Sequence, residues 1–306
     1  MIRPRPLCLG AVAALLTGLL PAATFAGGIV VTNNTNTQQL VNALTGGGSG
    51  GITITNAVLS AQDDGMGNMS SGIFTTSGAN NYKLKGSGIF ITSGNASQDG
   101  TSGPVIPSVT TDFGTTATAA QFNLLHQVSP DANSFHDVTQ LTLTFTAGAN
   151  TNKIFFNGVF GSAEYPHFVG QFPDGFGLFL NGKNIAFADG MAVNINSTDM
   201  VNTNFSMDPL GNPGDAFQET AMQGLLVQKN GNPVITFSGD VTPGSTNNTL
   251  TFIVGDANDN VLDTGVYLSA LGSTNPVVPE PGSLTLLGCV GAALLARRAV
   301  RRKNLA

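Results

Sequence analysis

Apolar and polar residues alternate along much of this chain, and that period of two is the signature of half-buried β-strands. Leu141-Thr-Leu143-Thr-Phe145-Thr sets threonines on one face and apolar side chains on the other, and Ile52-Thr-Ile54-Thr does the same. Further strand-like runs cover Ile154–Phe160, Phe176–Leu180, Val234–Phe237, Leu250–Val254 and Gly265–Leu271, separated by Gly, Asn, Asp or Pro clusters. A helical period occurs near the start, where Leu40, Val41 and Leu44 fall on one face of a short helix. Asn36 or Thr37 supplies its cap and Gly46 its end. No long amphipathic helix follows, which argues against an α/β enzyme fold. Ser71-Gly-Ile-Phe-Thr-Thr-Ser-Gly78 and Ser87-Gly-Ile-Phe-Ile-Thr-Ser-Gly94 nearly match. Two copies fall short of a solenoid, so they read as two adjacent strands with glycine corners. The expected architecture is all-β, a jelly-roll-like β-sandwich with a short N-terminal helix.

The two ends break this pattern. Arg3 and Arg5 precede an apolar run from Leu7 to Leu20, and small residues then lead to Ala26. A basic start, a short apolar stretch and a small-residue cleavage site read as a secretory signal peptide over 1–26. At the other end Pro279-Glu280-Pro281 precedes an apolar segment from Leu284 to Ala296, followed by Arg297, Arg298, Arg301, Arg302 and Lys303. That segment is about 13 residues, below the roughly 17–25 of a spanning helix, and the basic cluster holds its end on the cytoplasmic side. These parts, in this order, resemble the PEP-CTERM sorting signal. The resemblance implies an exosortase-type membrane enzyme as partner, acting around Pro279, Glu280 and Pro281, with Arg297 and Arg298 in the basic terminus. It also implies transient inner-membrane insertion through an apolar sorting helix, export to the cell surface or extracellular matrix, and a producer of exopolysaccharide. The sorting tail and its linker occupy 273–306, leaving 27–272 as the folded domain.

Charge and composition narrow the partners of that domain. Cys8 and Cys289 both lie in the terminal segments, so the domain has no disulfide framework and no thiolate site. Seven of the 12 Lys and Arg residues lie there too. The domain keeps 12 − 7 = 5 lysines against 17 acidic residues before Glu280, a net charge of 5 − 17 = −12. Such a surface is poorly suited to nucleic acid or anionic membranes and permits divalent cations and neutral glycans. Trp is absent and Tyr numbers three, so a stacking platform for sugars has little to build on, while the 19 phenylalanines suit a core.

Several blocks resemble the choice-of-anchor L domain over most of residues 37–271. They are Leu40–Leu44 with the Ile52–Leu59 strand, Gly88–Gly94, Phe156–Pro166, Asp174–Gly182 and Gly255–Leu268. The family more often carries two glutamates before the tyrosine; here Ala163 takes the first place, before Glu164 and Tyr165. The resemblance implies a secreted domain carried by varied C-terminal anchors, and it implies no particular activity.

The candidate chemistry is acidic. Asp256-x-Asn258-x-Asn260 places oxygen donors at alternate positions, as a calcium loop does, with Asp259 and Asp263 beside it. Val261 stands where an EF-hand needs glycine, so a looser calcium site is the expectation, completed by Glu164 and Asp174 from the neighbouring blocks. The competing reading is turn chemistry, in which Asp and Asn bond to nearby backbone amides. His126, His136 and His167 fit no catalytic or zinc spacing. The favoured function is therefore structural or adhesive, not enzymatic, with exopolysaccharide as expected associate. The alternatives are a calcium-dependent lectin-like module and a glycan-processing enzyme with paired carboxylates.

Overall fold

The structure is a computed structural model that describes residues 28–273 apart from 48–49, 79, 81, 100–109, 203–221 and 223. The segment read as a signal peptide, Pro279-Glu280-Pro281, the apolar segment read as a sorting helix, Arg297 and Arg298 all lie outside the described residues. Among those described, no helix is long and apolar enough to cross a membrane.

The chain is all-β. In order it forms β1 (Ile29–Asn33), α1 (Thr37–Leu44), β2 (Ile52–Ser60), β3 (Ser71–Thr76), β4 (Ser87–Thr92), α2 (Ala119–Leu125) and β5 (Phe135–Ala147). There follow β6 (Lys153–Ser162), β7 (Gly175–Leu180), β8 (Lys183–Asn184), β9 (Phe187–Ala188), β10 (Met191–Ala192) and β11 (Met200–Asn202). The last are β12 (Gly224–Leu226), β13 (Ile235–Asp240), β14 (Asn248–Ala257) and β15 (Thr264–Gly272). One large sheet runs β1-β3-β4-β15-β6-β12-β11, with β13 also on β6; a second runs β2-β5-β14-β7-β8, and β9 and β10 form a small two-stranded sheet of their own. All the strand pairs are antiparallel.

The two sheets share one core. Leu141, Leu143 and Phe145 of β5, Phe252 of β14, Phe156 of β6 and Leu268 of β15 belong to a single buried cluster. Phe156 meets Phe252 edge-on with ring centroids 5.6 Å apart, joining one sheet to the other. The alternation read in β5 follows from this: its apolar residues face the shared core and its threonines stand half-buried on the other side. In β7 every residue is buried, because both faces are covered. Its outer side lies under α2 and the turn after it, where Leu125, Val128, Phe135, Phe179 and Ile253 cluster. A third cluster covers the outer side of the first sheet around Tyr82, Phe74, Phe90 and Tyr267.

Local signals explain most of the elements. Asn36 caps α1, its side chain accepting from the Gln39 N–H at 3.0 Å, and Gly46 beyond the helix takes φ +62°. The second helix, α2, departs from the strands expected after residue 52. Its Thr118-x-x-Gln121 capping box satisfies two amides that would otherwise be orphaned, which suffices for seven residues. The near-repeat does form adjacent strands, β3 and β4, with Phe74 opposite Gly88 and Gly72 opposite Phe90. Of the glycines in the repeat, Gly78 at φ +72° turns the chain just after β3, Gly88 is a low point over which the Phe74 ring lies, and Gly72 is closed over by Val31, Thr32 and Ala96.

Candidate functional site

The ends of β6 and β14 and the starts of β5, β7 and β15 meet at one edge of the two sheets, and each brings a carboxylate. Pairing sets their positions. Gly255 of β14 lies opposite Gly175 of β7, which makes Asp256 and Asp174 near neighbours. Thr264 of β15 lies opposite Ser162 of β6, and the Ala163 N–H donates to the Asp263 carbonyl at 3.0 Å, drawing Glu164 toward Asp263. Asp256 stands opposite His136 of β5, next to Asp137. Asp137, Glu164, Asp174 and Asp256 are 0% exposed and Asp263 is 1% exposed. Charged side chains are rarely buried so completely without a partner of opposite charge.

The five differ in how they are satisfied. Asp137 is saturated: it accepts from the Phe113 and Thr115 N–H groups at 2.9 Å each and from the Thr115 hydroxyl at 2.9 Å. Asp174 accepts from the Ala257 N–H at 2.7 Å and from Thr264 Oγ1 at 2.5 Å. Thr264 Oγ1 also lies 2.7 Å from Ser162 Oγ, which accepts from the Glu164 N–H at 3.0 Å. Asp263 accepts from the Thr111 N–H through Oδ1 at 2.8 Å, while its Oδ2 has no partner. Neither oxygen of Asp256 and neither of Glu164 has a hydrogen-bond partner among the described residues.

Burial and mutual repulsion raise the acidity constants of the group. Glu164 is pushed up to about 10, first by burial and then by the charges of Asp174 and Asp259. Burial and then Asp174 and Asp263 hold Asp256 well above the carboxylate range. Ser93, whose hydroxyl is engaged with the Thr264 backbone, relieves it only weakly. Asp174 is also raised by burial, against the opposing pull of its Thr264 and Ala257 bonds. Asp263 rises to about 7, mainly by burial, opposed by the Thr111 N–H. Asp259 is half-buried and raised by burial, with the Val261 N–H and His136 pulling the other way.

Of the seven residues read as calcium donors, Glu164, Asp174, Asp256 and Asp263 therefore come together inside, and Asp259 lies close enough to act on two of them. Asn258 and Asn260 remain half-buried in the loop. Asn258 holds that loop in place: at φ +74°, its Oδ1 accepts from the Asn133 N–H and its Nδ2 donates to the Gln171 carbonyl. The alternate spacing is broken by a register shift between Val254 and Asp256. Asp137 was not singled out in the sequence; its place in the cluster comes from strand pairing. Among the described residues no three His, Cys, Asp or Glu side chains form a ready-made metal cage.

A second feature opens on the first sheet. A pocket of about 390 Å³ is lined by Gly46, Lys83, Lys85, Ser87, Asn157 and Ser269, among others. It forms where β15 shifts register against β6 after Ser269, with Ala270 at φ +58°. Lys83 reaches across to donate to the Gly231 carbonyl at 2.8 Å.

The choice-of-anchor L domain matches residues 29–274. The chain belongs to the choice-of-anchor L domain family. No curated protein and no solved structure matches the chain. The blocks that carry the choice-of-anchor L resemblance converge on the carboxylate cluster. Phe156–Pro166 brings Glu164, Asp174–Gly182 brings Asp174, and Gly255–Leu268 brings Asp256 and Asp263. Gly88–Gly94 supplies the seat of Asp263, whose carboxylate occupies the space that a Cβ at Gly94 would take. Membership in this choice-of-anchor family points to an exported or surface-anchored protein and is not membership in an enzyme family. Of the histidines, His126 stacks on Phe122, away from the acidic groups, while His136 pairs with Ser134 Oγ at 3.1 Å beside the cluster, opposite Asp256.

Proposed function

We propose that this protein is a structural or adhesive component of the cell surface or extracellular matrix, sorted by an exosortase-type enzyme at its Pro279-Glu280-Pro281 tail and associated with exopolysaccharide. The observation that carries the reading is that Glu164, Asp174, Asp256 and Asp263 are sealed within the protein. Glycoside hydrolysis needs two carboxylates flanking a bond of the sugar chain, and a lectin's calcium needs an open coordination face toward its ligand. Buried carboxylates at the meeting of two sheets suit neither task and suit a role in the fold. The outward pocket is the better place for a polysaccharide. Two of the domain's five lysines line it, with Asn157, Ser87 and Ser269 as hydrogen-bonding groups, so it favours acidic sugar units within an otherwise acidic domain.

Co-sedimentation of the exported protein with the producing cell's exopolysaccharide tests this. The protein should pellet with the polymer and release no new reducing ends. Lys85→Glu should weaken retention by about fivefold, the equivalent of about 1 kcal/mol. New reducing ends would make the protein a glycan-processing enzyme, and failure to pellet would remove the polysaccharide as a partner.

A further inference from the structure

We infer that the buried carboxylate cluster is a structural calcium site in which Glu164, Asp174, Asp256 and Asp263 share one cation where the two sheets meet. The inference rests on an unsatisfied interior. Asp256 and Glu164 are fully buried with no partner for either carboxylate oxygen, and Asp263 leaves one oxygen free. Protonation does not resolve this, because a buried carboxylic acid then holds an O–H donor that also needs an acceptor. A hydrophobic replacement would suit such a position better than a lone acid, and so would a paired one. A divalent cation satisfies several of these oxygens at once and offsets four negative charges held close together.

The donor set selects the ion. The groups on hand are carboxylates, with the Ser162 and Thr264 hydroxyls beside Asp174 and no cysteine in the domain. Zinc favours thiolate and imidazole, and magnesium demands near-ideal octahedral geometry. Calcium accepts six to eight oxygens in irregular arrangements at about 2.3–2.6 Å. Among the described residues no three of the acidic side chains already form a cage, so calcium binding requires their oxygens to move closer together. Its four acidic donors are carried by loops or strand ends of both sheets: Glu164 follows β6 and Asp263 precedes β15 in one, while Asp174 precedes β7 and Asp256 ends β14 in the other. The ion therefore links the sheets on the side where Asp174 and Thr264 already bridge them.

Thermal unfolding of the full chain after dialysis against a chelator, then with calcium chloride or magnesium chloride added, tests the site. Calcium at about a hundredfold excess over its dissociation constant should raise Tm by roughly 5–10 °C, and magnesium should do much less. Calorimetry should find about one calcium per chain. Asp256→Asn and Glu164→Gln, which keep the shape and remove a charge, should each abolish most of the calcium shift. Asp64→Asn, in an exposed loop where Asp64 caps the Met66 and Asn68 N–H groups, should keep the shift. Equal Tm with and without calcium would overturn the site, as would a full calcium shift in both Asp256→Asn and Glu164→Gln.

Discussion

Replacing Gly88 by alanine is expected to destabilise the domain by on the order of 4 kcal/mol, lowering Tm by roughly 10 °C. Gly88 lies in β4, and a Cβ there would run into the carbonyl oxygen of Leu268 and come within 2.6 Å of the Phe74 ring. Neither neighbour can retreat. Leu268 belongs to β15, which is paired on both sides, by β4 and by β6. Phe74 is fully buried and packs edge-on against Tyr267 with centroids 5.3 Å apart. Overpacking of this kind commonly costs about 1–3 kcal/mol, and a backbone obstacle takes it higher. Gly86 is the control. It sits at φ +74° with open space around its Cα, so alanine there carries only the left-handed strain of about 1–2 kcal/mol. Chemical denaturation of both variants checks the difference; equal losses would show that the Phe74–Gly88 packing does not constrain β4.

The second large effect is on pH dependence. In chelator, Tm should fall as pH rises from about 4 to 9, the reverse of ordinary acid denaturation. Glu164, Asp174, Asp256 and Asp263 have folded acidity constants above those of the unfolded chain, the first at about 10 and the last at about 7. Between the unfolded and folded values the folded state holds protons that the unfolded chain has released. Stability is then full below pH about 4 and is lost as pH climbs through the folded values. For Asp263 alone, three pH units correspond to about 4 kcal/mol at most. Asp137, Asp259 and His136 face these groups, and only the imidazole among them can bring positive charge. Saturating calcium should flatten or reverse the slope, since a cation favours the ionised carboxylates. A Tm that rises steadily with pH in chelator would contradict the strained cluster.

Much of the fold was legible in the sequence, and the physical reasons mark where legibility stops. The period-two alternation of Leu141–Thr146 reports a strand with one face in the core, and it reads correctly because its other face stays half-buried. The cap at Asn36 is a local interaction, so it too is readable. The Thr118 capping box was equally local, but α2 has only seven residues, too few for a visible helical period. At the site, the resemblance blocks supplied four of the buried acids, whereas Asn258 and Asn260 of the Asp256-x-Asn258-x-Asn260 spacing stay half-buried in the loop. Spacing assumes an even strand, and the bulge after Val254 sends Asp256 inward and leaves Asn258 to hold the turn. Asp137 could not be found by spacing at all. It lies far along the chain from Asp256, and only the pairing of β5 with β14 brings it near.

The reading of the carboxylates as parts of the fold, not of a ligand-binding face, is tested most directly by measuring exopolysaccharide retention of the wild type and of Asp256→Asn at a temperature where both are folded. The account predicts equal retention, with the variant differing only in its calcium-dependent stability. Loss of retention in a variant whose unfolding transition is intact would contradict it and make the cluster a ligand site.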